Sequence, residues 1–379
     1  MNIYKLNLEK VGDFLKNLDC DIGGVKIMSK KTKIHTLFIK NLHVGAANIL
    51  KQDALSIGAD LAVPEGVVVA KEKYVDALLI ASSKHLEILS KKELAQPFGL
   101  KDLAKNLKKF IQKENYETKI MGILNLNSDS FFDKSRTKES EVLDKILSQI
   151  DDGANIIDIG AVSSRPGSIY TGEDEELKRV KNTADLIYKH KLYEKVDFSI
   201  DSYSPKTIDY VLNCGFKIVN DITGLQNDEV CKIIAKYDAK AVIMHMQNDP
   251  TNMQNNPKYD DLIIEIDSFF EERVKKAENF GIKDLILDVG IGFGKNLEHN
   301  LLLLKNLEHF KHFGYELLIG ASRKSMINMI SPSSIENRLS GTLAIHLESL
   351  RNGASIIRCH DVKEHFQAIK VFEAINSIN

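Results

Sequence analysis

Hydrophobic and polar positions follow two regimes along this chain. Eight short runs rich in Ile, Val and Leu occupy residues 119–124, 155–159, 197–201, 217–220, 240–244, 285–289, 317–321 and 355–359. Their nearly unbroken apolar character predicts strands covered on both faces, as in a parallel sheet. Between most of them the period lengthens to that of a helix, as with Val142, Leu143, Ile146, Leu147 and Ile150. The gap after the third run is short, with Pro205 suited to a first helical turn and Gly215 to its end.

Eight strands alternating with helices over roughly 260 residues is the count of a (β/α)8 TIM barrel. An open doubly wound sheet alternates in the same way but gathers its ligands at one crevice. Here almost every run ends in a polar residue: Asn125, Asp158, Asp201, Asn220-Asp221, His245, Asp288, Ser322-Arg323-Lys324, and Arg358 with His360. A barrel brings all eight strand ends onto one rim, so the barrel is the expected fold.

The first 115 residues form a smaller α/β N-terminal domain in this reading, with the catalytic barrel over 116–379. Strand-like stretches at 36–42, 62–69 and 76–81 alternate with helical ones at 46–57 and 84–94. Leu100, Leu103, Leu107, Phe110 and Ile111 then mark an amphipathic helix, its wet face carrying Lys101, Lys105, Lys108, Lys109 and Lys113. No catalytic motif appears in this part.

Composition narrows the function. The 379 residues hold 51 Lys+Arg against 53 Asp+Glu, a net charge of −2, so the basic surplus of a nucleic-acid binder is missing. No run approaches the ~18 apolar residues of a membrane span, and the start lacks the apolar core of a signal peptide. Cys20, Cys214, Cys231 and Cys359 show no CxxC spacing, which suggests neither a disulfide framework nor a zinc site. A cytoplasmic enzyme with small-molecule substrates, and with no nucleic-acid or membrane partner, is expected.

The chemistry-bearing residues cluster after the strands. Asn125 opens a polar loop with Phe131 and Phe132, suited to a lid. Ser163-Ser164-Arg165-Pro166-Gly167 packs hydroxyls and a guanidinium beside a stiff turn, a pattern suited to a phosphate or carboxylate. Asp201 and Asp288, with Asn220, can hold a flat heterocycle by its N–H edge, because a buried carboxylate needs donors to meet. Gly290-Ile291-Gly292-Phe293-Gly294-Lys295 has neither Walker A nor dinucleotide spacing. Its glycines are expected to let the backbone approach a ligand, with Phe293 as an aromatic wall. Ser325 would open a helix whose N–H groups suit a carboxylate, and Lys324 would point into the rim. Arg358 and His360 share one side by strand alternation and form a candidate diphosphate pocket. His299, His309 and His312 fall on an expected surface helix without metal spacing.

From residue 118 onward the chain resembles the dihydropteroate synthases of the folate pathway. The resemblance rests on Met121-Gly122-Ile123-Leu124-Asn125, Asp129-Ser130-Phe131, Ser163-Ser164-Arg165-Pro166-Gly167, Ile200-Asp201-Ser202, Asn220-Asp221-Ile222, Met244-His245-Met246, Asp288 with residues 290–295, residues 322–325, and Arg358-Cys359-His360-Asp361, all in the family's order. It implies condensation of 6-hydroxymethyl-7,8-dihydropterin pyrophosphate with p-aminobenzoate, through a cationic pterin methylene. It further implies that Asp201, Asn220, Ile222, Met244, Asp288 and Lys324 bind the pterin. Asn125, Ser164, Arg165, Arg358 and His360 would bind pyrophosphate, with Mg2+ held at Asn125. Phe131, Ser164, Pro166, Phe293 and Ser325 would shape the aminobenzoate site, where sulfonamides compete. Asp201, Lys324 and Arg358 would be the catalytic set, and a homodimer is expected.

Four positions depart from the family pattern: Asn127-Ser128 for Thr-Pro, Val162 for Glu, Ser164 for Thr, and Val289 for Pro. They touch loop closure and aminobenzoate affinity more than the reaction. Two alternatives share the pterin-gripping carboxylates: a pterin-dependent corrinoid methyltransferase and a non-catalytic pterin-binding paralogue. The first has no use for the Ser-Arg-Pro-Gly and Arg-Lys-Ser elements.

Overall fold

The computed structural model of the chain describes residues 1–8, 10–111, 116–126, 136–161, 172–248 and 252–378. It divides into two compact units. One comprises Met1–Lys113, His312–Gly314 and Glu373–Asn379; the other comprises Glu114–Lys311 and Tyr315–Phe372.

In the first unit, β1 (Ile34–His43), β2 (Asp60–Ala62) and β3 (Tyr74–Ser82) form an antiparallel sheet in the order β1-β3-β2. Short helices α1 (Val11–Asn17) and α2 (Ile22–Thr32) precede the sheet, and α3 (Val44–Ser56), α4 (Ser83–Lys92) and α5 (Leu100–Lys109) complete the unit. Its core joins Leu50 and Ala54 of α3, Leu79 of β3, Leu86 and Leu89 of α4, and Leu107 of α5. The strand expected over 62–69 is corrected. Pairing ends at Ala62, and Val67–Val69 is a 3-10 turn between the left-handed residues Gly66 (φ 84°) and Ala70 (φ 52°). A ladder cannot pass through two such residues, and Val68 and Val69 are left exposed.

The second unit is a closed barrel of β4 (Lys119–Asn125), β5 (Ile156–Gly160), β6 (Asp197–Asp201), β7 (Ile218–Asp221), β8 (Lys240–Met244), β9 (Leu285–Asp288), β10 (Glu316–Ile319) and β11 (Ile356–Cys359). All eight pairings are parallel and follow chain order, so every strand end faces the same way. A helix returns the chain after each strand: α6 (Arg136–Asp151), α7 (Glu173–Lys189), α8 (Pro205–Asn213), α9 (Asp228–Lys236), α10 (Leu262–Asn279), α11 (Leu297–Lys305), α12 (Ser325–Ile330) with α13 (Leu339–Arg351), and α14 (Val362–Ser377). α8 shows the local logic: Ser204 caps it, Pro205 occupies the first turn, and the chain turns out before Gly215.

Met121, Ile156, Ile218, Val242, Ile286, Leu318 and Ile356 form one buried cluster, a single residue from each of seven barrel strands. This apolar layer closes the barrel interior. Near the N-terminal strand ends, buried Glu316 accepts from Lys119 at 2.7 Å and Lys240 at 2.9 Å. The surface helix expected around the histidines is also corrected. His299 lies on α11, whereas His309 and His312 lie on a 3-10 segment, with His309 Nε2 3.0 Å from Asp267 Oδ1 and His312 buried. No helix among the described residues is long and apolar enough to cross a membrane.

Candidate active site

Period-two alternation builds the site. Side chains two positions apart on a strand point the same way. Two positions beyond each member of the apolar layer stand Ile123, Asp158, Asn220, Met244, Asp288, Gly320 and Arg358. On β6, Ser199 pairs in register with Ile218, and Asp201 with Asn220, so Asp201 joins this second layer. Three carboxylates, an amide and a guanidinium therefore stand on an apolar floor.

Arg358 ties them together. Its Nε donates to Asp158 Oδ2 at 2.7 Å, and its Nη2 donates to Asp201 Oδ2 at 2.8 Å. Asn220 Nδ2 donates to the same Asp158 oxygen at 3.1 Å. These bonds use two of the five guanidinium N–H groups, which leaves donors for an incoming anion. Burial opposes the charge on Arg358, yet Asp158 and Asp201 more than offset this and raise its pKa. Burial pushes the Asp201 carboxyl up, against the pull of Arg358 and with help from the charges of Asp158, Glu176 and Asp221.

Asp288 also lies buried in this layer, and Arg358 and Lys324 act on it electrostatically. One of its oxygens accepts the Gly290 N–H at 2.7 Å. Burial raises its pKa, opposed first by Lys324. Lys324 stands immediately before α12; its ammonium donates to the Ile291 carbonyl and sits 4.4 Å from the centre of the Phe293 ring. Burial pulls Lys324 down to about 8, with Asp288 working the other way. Asp288 and Arg358 thus open at the same end of the barrel.

The remaining candidates ring this centre. Asn125 is exposed at the end of β4, and Gly160 lies between it and Asp201: a Cβ there would stand 3.2 Å from Asn125 Oδ1 and 3.9 Å from Asp201 Oδ2. Ile222 and Met244 are buried beside the layer. His360 is exposed just past β11, with Nδ1 2.9 Å from Ser322 Oγ. Ser325 is exposed as the first residue of α12. Phe131, Ser164, Arg165 and Pro166, together with the departures Asn127, Ser128 and Val162, lie outside the described residues.

Two strand-end polar residues prove structural. The Asp221 carboxylate accepts from Thr223 N–H and hydroxyl at 2.7 Å each and from Leu225 N–H at 3.1 Å, which folds the turn after β7. His245 is bonded by the buried Lys295 ammonium at 2.9 Å, and Lys295 also donates to the carbonyls of His245 and Phe293. Burial brings Lys295 down to about 7 and His245 down to about 2. The expectation for the glycine loop is corrected accordingly. A Cβ on Gly290 (φ 68°) would stand 2.0 Å from the His245 carbonyl oxygen, and one on Gly294 would stand 2.8 Å from that of Gln247. These two glycines let the loop approach its own neighbour after β8 rather than a ligand. The sequence marks Asp158 as a polar run end and assigns it no site role, although an unpaired buried carboxylate is costly.

Known proteins resemble this chain in sequence and fold. A family model described as pterin binding enzyme matches residues 121–360, more than half of the chain. The Escherichia coli dihydropteroate synthase is 40% identical over 260 residues, covering 67% of this chain and 90% of the relative. The chain belongs to the dihydropteroate synthase family. Its membership makes it a pterin-binding transferase of folate biosynthesis, and the corrinoid methyltransferase reading is not favoured. A Helicobacter pylori relative named bifunctional dihydropteroate synthase/dihydropteroate reductase is 42% identical over 368 residues, 96% of this chain and 97% of its own length. The Yersinia pestis dihydropteroate synthase solved with a sulfonamide drug superposes with a TM-score of 0.63 at 36% identity, over 69% of this chain and 95% of that one. The Thermus thermophilus enzyme in complex with 4-aminobenzoate gives 0.61 at 32% identity, over 68% and 95%.

Proposed function

We propose that the C-terminal mouth of the barrel condenses 6-hydroxymethyl-7,8-dihydropterin pyrophosphate with p-aminobenzoate, giving 7,8-dihydropteroate and pyrophosphate. The supporting observation is the layer of Asp158, Asp201, Asn220, Asp288 and Arg358 on an apolar floor, with Lys324 beside it. The free oxygen of Asp288 accepts the paired N–H donors of the amino-pyrimidinone edge, and Asn220 extends that edge recognition. Ile222 and Met244 cover the ring faces. Arg358, His360, Ser164 and Arg165 hold the diphosphate, whose departure leaves a cationic methylene that Asp201 stabilises. Aniline nitrogen is a modest nucleophile, so making the carbon electrophilic matters more than activating the amine. Phe131, Ser164, Pro166, Phe293 and Ser325 seat the aminobenzoate, and sulfonamides compete there.

Asn125 fits a place beside Mg2+, because it presents an exposed hard oxygen next to Asp201, and Mg2+ completes its shell with phosphate oxygens and water. When bound, the ion neutralises diphosphate charge. Mixing the protein with Mg2+, the pterin pyrophosphate and p-aminobenzoate is expected to yield dihydropteroate by mass; binding of the pterin pyrophosphate without product would leave the non-catalytic paralogue. The enzyme is read as a cytoplasmic homodimer, for which light scattering should give about twice 42.6 kDa.

A second activity is favoured by one observation. The Helicobacter pylori relative, whose name includes dihydropteroate reductase, matches 96% of the chain, whereas the Escherichia coli synthase matches 67%. In this reading the chain also reduces 7,8-dihydropteroate: a reduced nicotinamide or flavin gives hydride to C6 and a proton adds at N5, leaving the donor oxidised by two electrons. With the full-length protein and each donor, 7,8-dihydropteroate should gain two mass units; unchanged 7,8-dihydropteroate with every donor would remove the second activity and leave the first intact.

A further inference from the structure

Two loops that carry proposed substrate contacts are joined behind the polar layer by a pair of buried histidines. His346 on α13 and His365 on α14 are each 1% exposed, and Nδ1 of the first lies 2.8 Å from Nε2 of the second. At one end, His346 Nε2 accepts the Ala321 backbone N–H at 3.1 Å. At the other, His365 Nδ1 lies 2.6 Å from the Asp361 carbonyl oxygen. Ala321 lies in the loop after β10 that bears Ser322, Arg323 and Lys324, and Asp361 follows His360.

The two ends determine where the protons sit. A backbone N–H can only donate, so His346 Nε2 is bare; a carbonyl can only accept, so His365 Nδ1 carries hydrogen. Burial keeps both rings neutral by holding their pKa values below the ordinary histidine range. One arrangement then remains: His346 donates from Nδ1–H to a bare Nε2 on His365. Every ring nitrogen of the pair is satisfied, and an added proton could only face another donor.

The same two loops are clamped elsewhere. Ser322 Oγ and His360 Nδ1 are 2.9 Å apart, and Arg323 forks onto Asp361. Arg323 has a left-handed backbone (φ 57°), held by Thr342 Oγ1 accepting its N–H and by Arg338 donating to its carbonyl, each at 3.0 Å. A strained residue persists when its surroundings over-determine it. Lys324 follows directly, so its seat is inherited from this clamp.

We propose that His346 and His365 are positioning residues for the condensation: by linking Ala321 to Asp361 through one tautomeric chain, they hold Lys324 in register with Arg358 and His360. The inference rests on the assignment of those three to substrate. Displacement of a preorganised group by a fraction of an ångström costs activity without costing the fold.

The test combines spectroscopy with kinetics on the full-length protein. Spectra of ¹⁵N-histidine-labelled wild type should show both rings in the Nδ1–H form; an Nε2–H form on either ring overturns the proposal. His365→Phe should keep the fold by circular dichroism and lower kcat by at least about tenfold, with KM for aminobenzoate within about threefold of wild type. His365→Gln, whose Oε1 can accept from His346, should recover part of that loss. A folded His365→Phe with wild-type kcat overturns the pair's role, and if that variant does not fold, the tautomer spectrum and His365→Gln still decide. Lys324→Ala run alongside separates the two levels: wild-type turnover there overturns the substrate assignment itself, whereas slow Lys324→Ala with wild-type His365→Phe overturns only the positioning.

Discussion

The two ends of the barrel interior bury acidic residues to opposite purposes. Near the N-terminal strand ends, Glu316 receives Lys119 on one oxygen and Lys240 on the other. Each carboxylate oxygen meets an ammonium group, so neither is left without a donor. Near the C-terminal ends, Asp158, Asp201 and Asp288 share Arg358 and Lys324, and Asp158 Oδ1 has no hydrogen-bond partner among the described residues. Burial raises the pKa of Asp201 and Asp288, whereas the two lysines more than offset its effect on Glu316, whose pKa falls. A satisfied buried charge is costly to break, and an unsatisfied buried charge is what an ionic, donor-rich substrate can complete.

The contrast can be broken from either end. Lys324→Ala and Arg358→Ala are each expected to lower turnover by roughly 10²–10³, the usual loss for one preorganised charge partner. Arg358→Ala should also lose stability, because Asp158 and Asp201 then face each other without a cation. Pyrophosphate release within threefold of wild type in either variant would count against the assignment. At the other end, Glu316→Gln should cost about 3 kcal/mol in urea unfolding, at the low end for a broken buried pair because both lysines are partly exposed, with kcat unchanged. The Glu316 pKa is lowered on folding, so this contribution is present above its unfolded value and fades as pH falls through the folded one.

Smaller effects sharpen the comparison. Lys324 titrates near 8 and carries its charge below that pH, so kcat/KM should fall as pH rises through about 8. Lys324→Arg should move that limb upward, since a guanidinium stays charged; a limb that does not move would assign it to another group. The smallest change concerns Ser199, which is fully buried, in register with the apolar layer, and whose hydroxyl has no hydrogen-bond partner among the described residues. Ser199→Ala should stabilise the barrel by about 1 kcal/mol, measured as a higher urea midpoint, because a buried polar atom without a bond costs more than its absence.

Much of the fold was legible because parallel strands covered on both faces leave unbroken apolar runs. The runs at 197–201 and 240–244 coincide with β6 and β8, and the others agree to within one or two residues. The stretch at 62–69 misled because four valines carry strand propensity, whereas Gly66 and Ala70 impose a left-handed backbone that one-dimensional patterning does not register. At the site, Asp201, Asn220, Asp288 and Arg358 were legible as polar residues closing apolar runs. Asp221 and His245 carried the same signal, yet the turn after β7 and Lys295 absorb them.

By itself the sequence determined that eight strands alternate with helices, that polar residues end them, and that their order matches a pterin-binding family. Periodicity, composition and motif order are properties of the chain, and they survive without coordinates. Only the tertiary structure decided which of those polar groups share one hydrogen-bonded layer. Barrel closure brings Arg358 to Asp158, 200 positions earlier in the chain, and strand alternation turns Asn220 inward while Asp221 faces its own turn. The partner of each charge, and hence whether it is satisfied or available, depends on distances that exist only once the strands have closed.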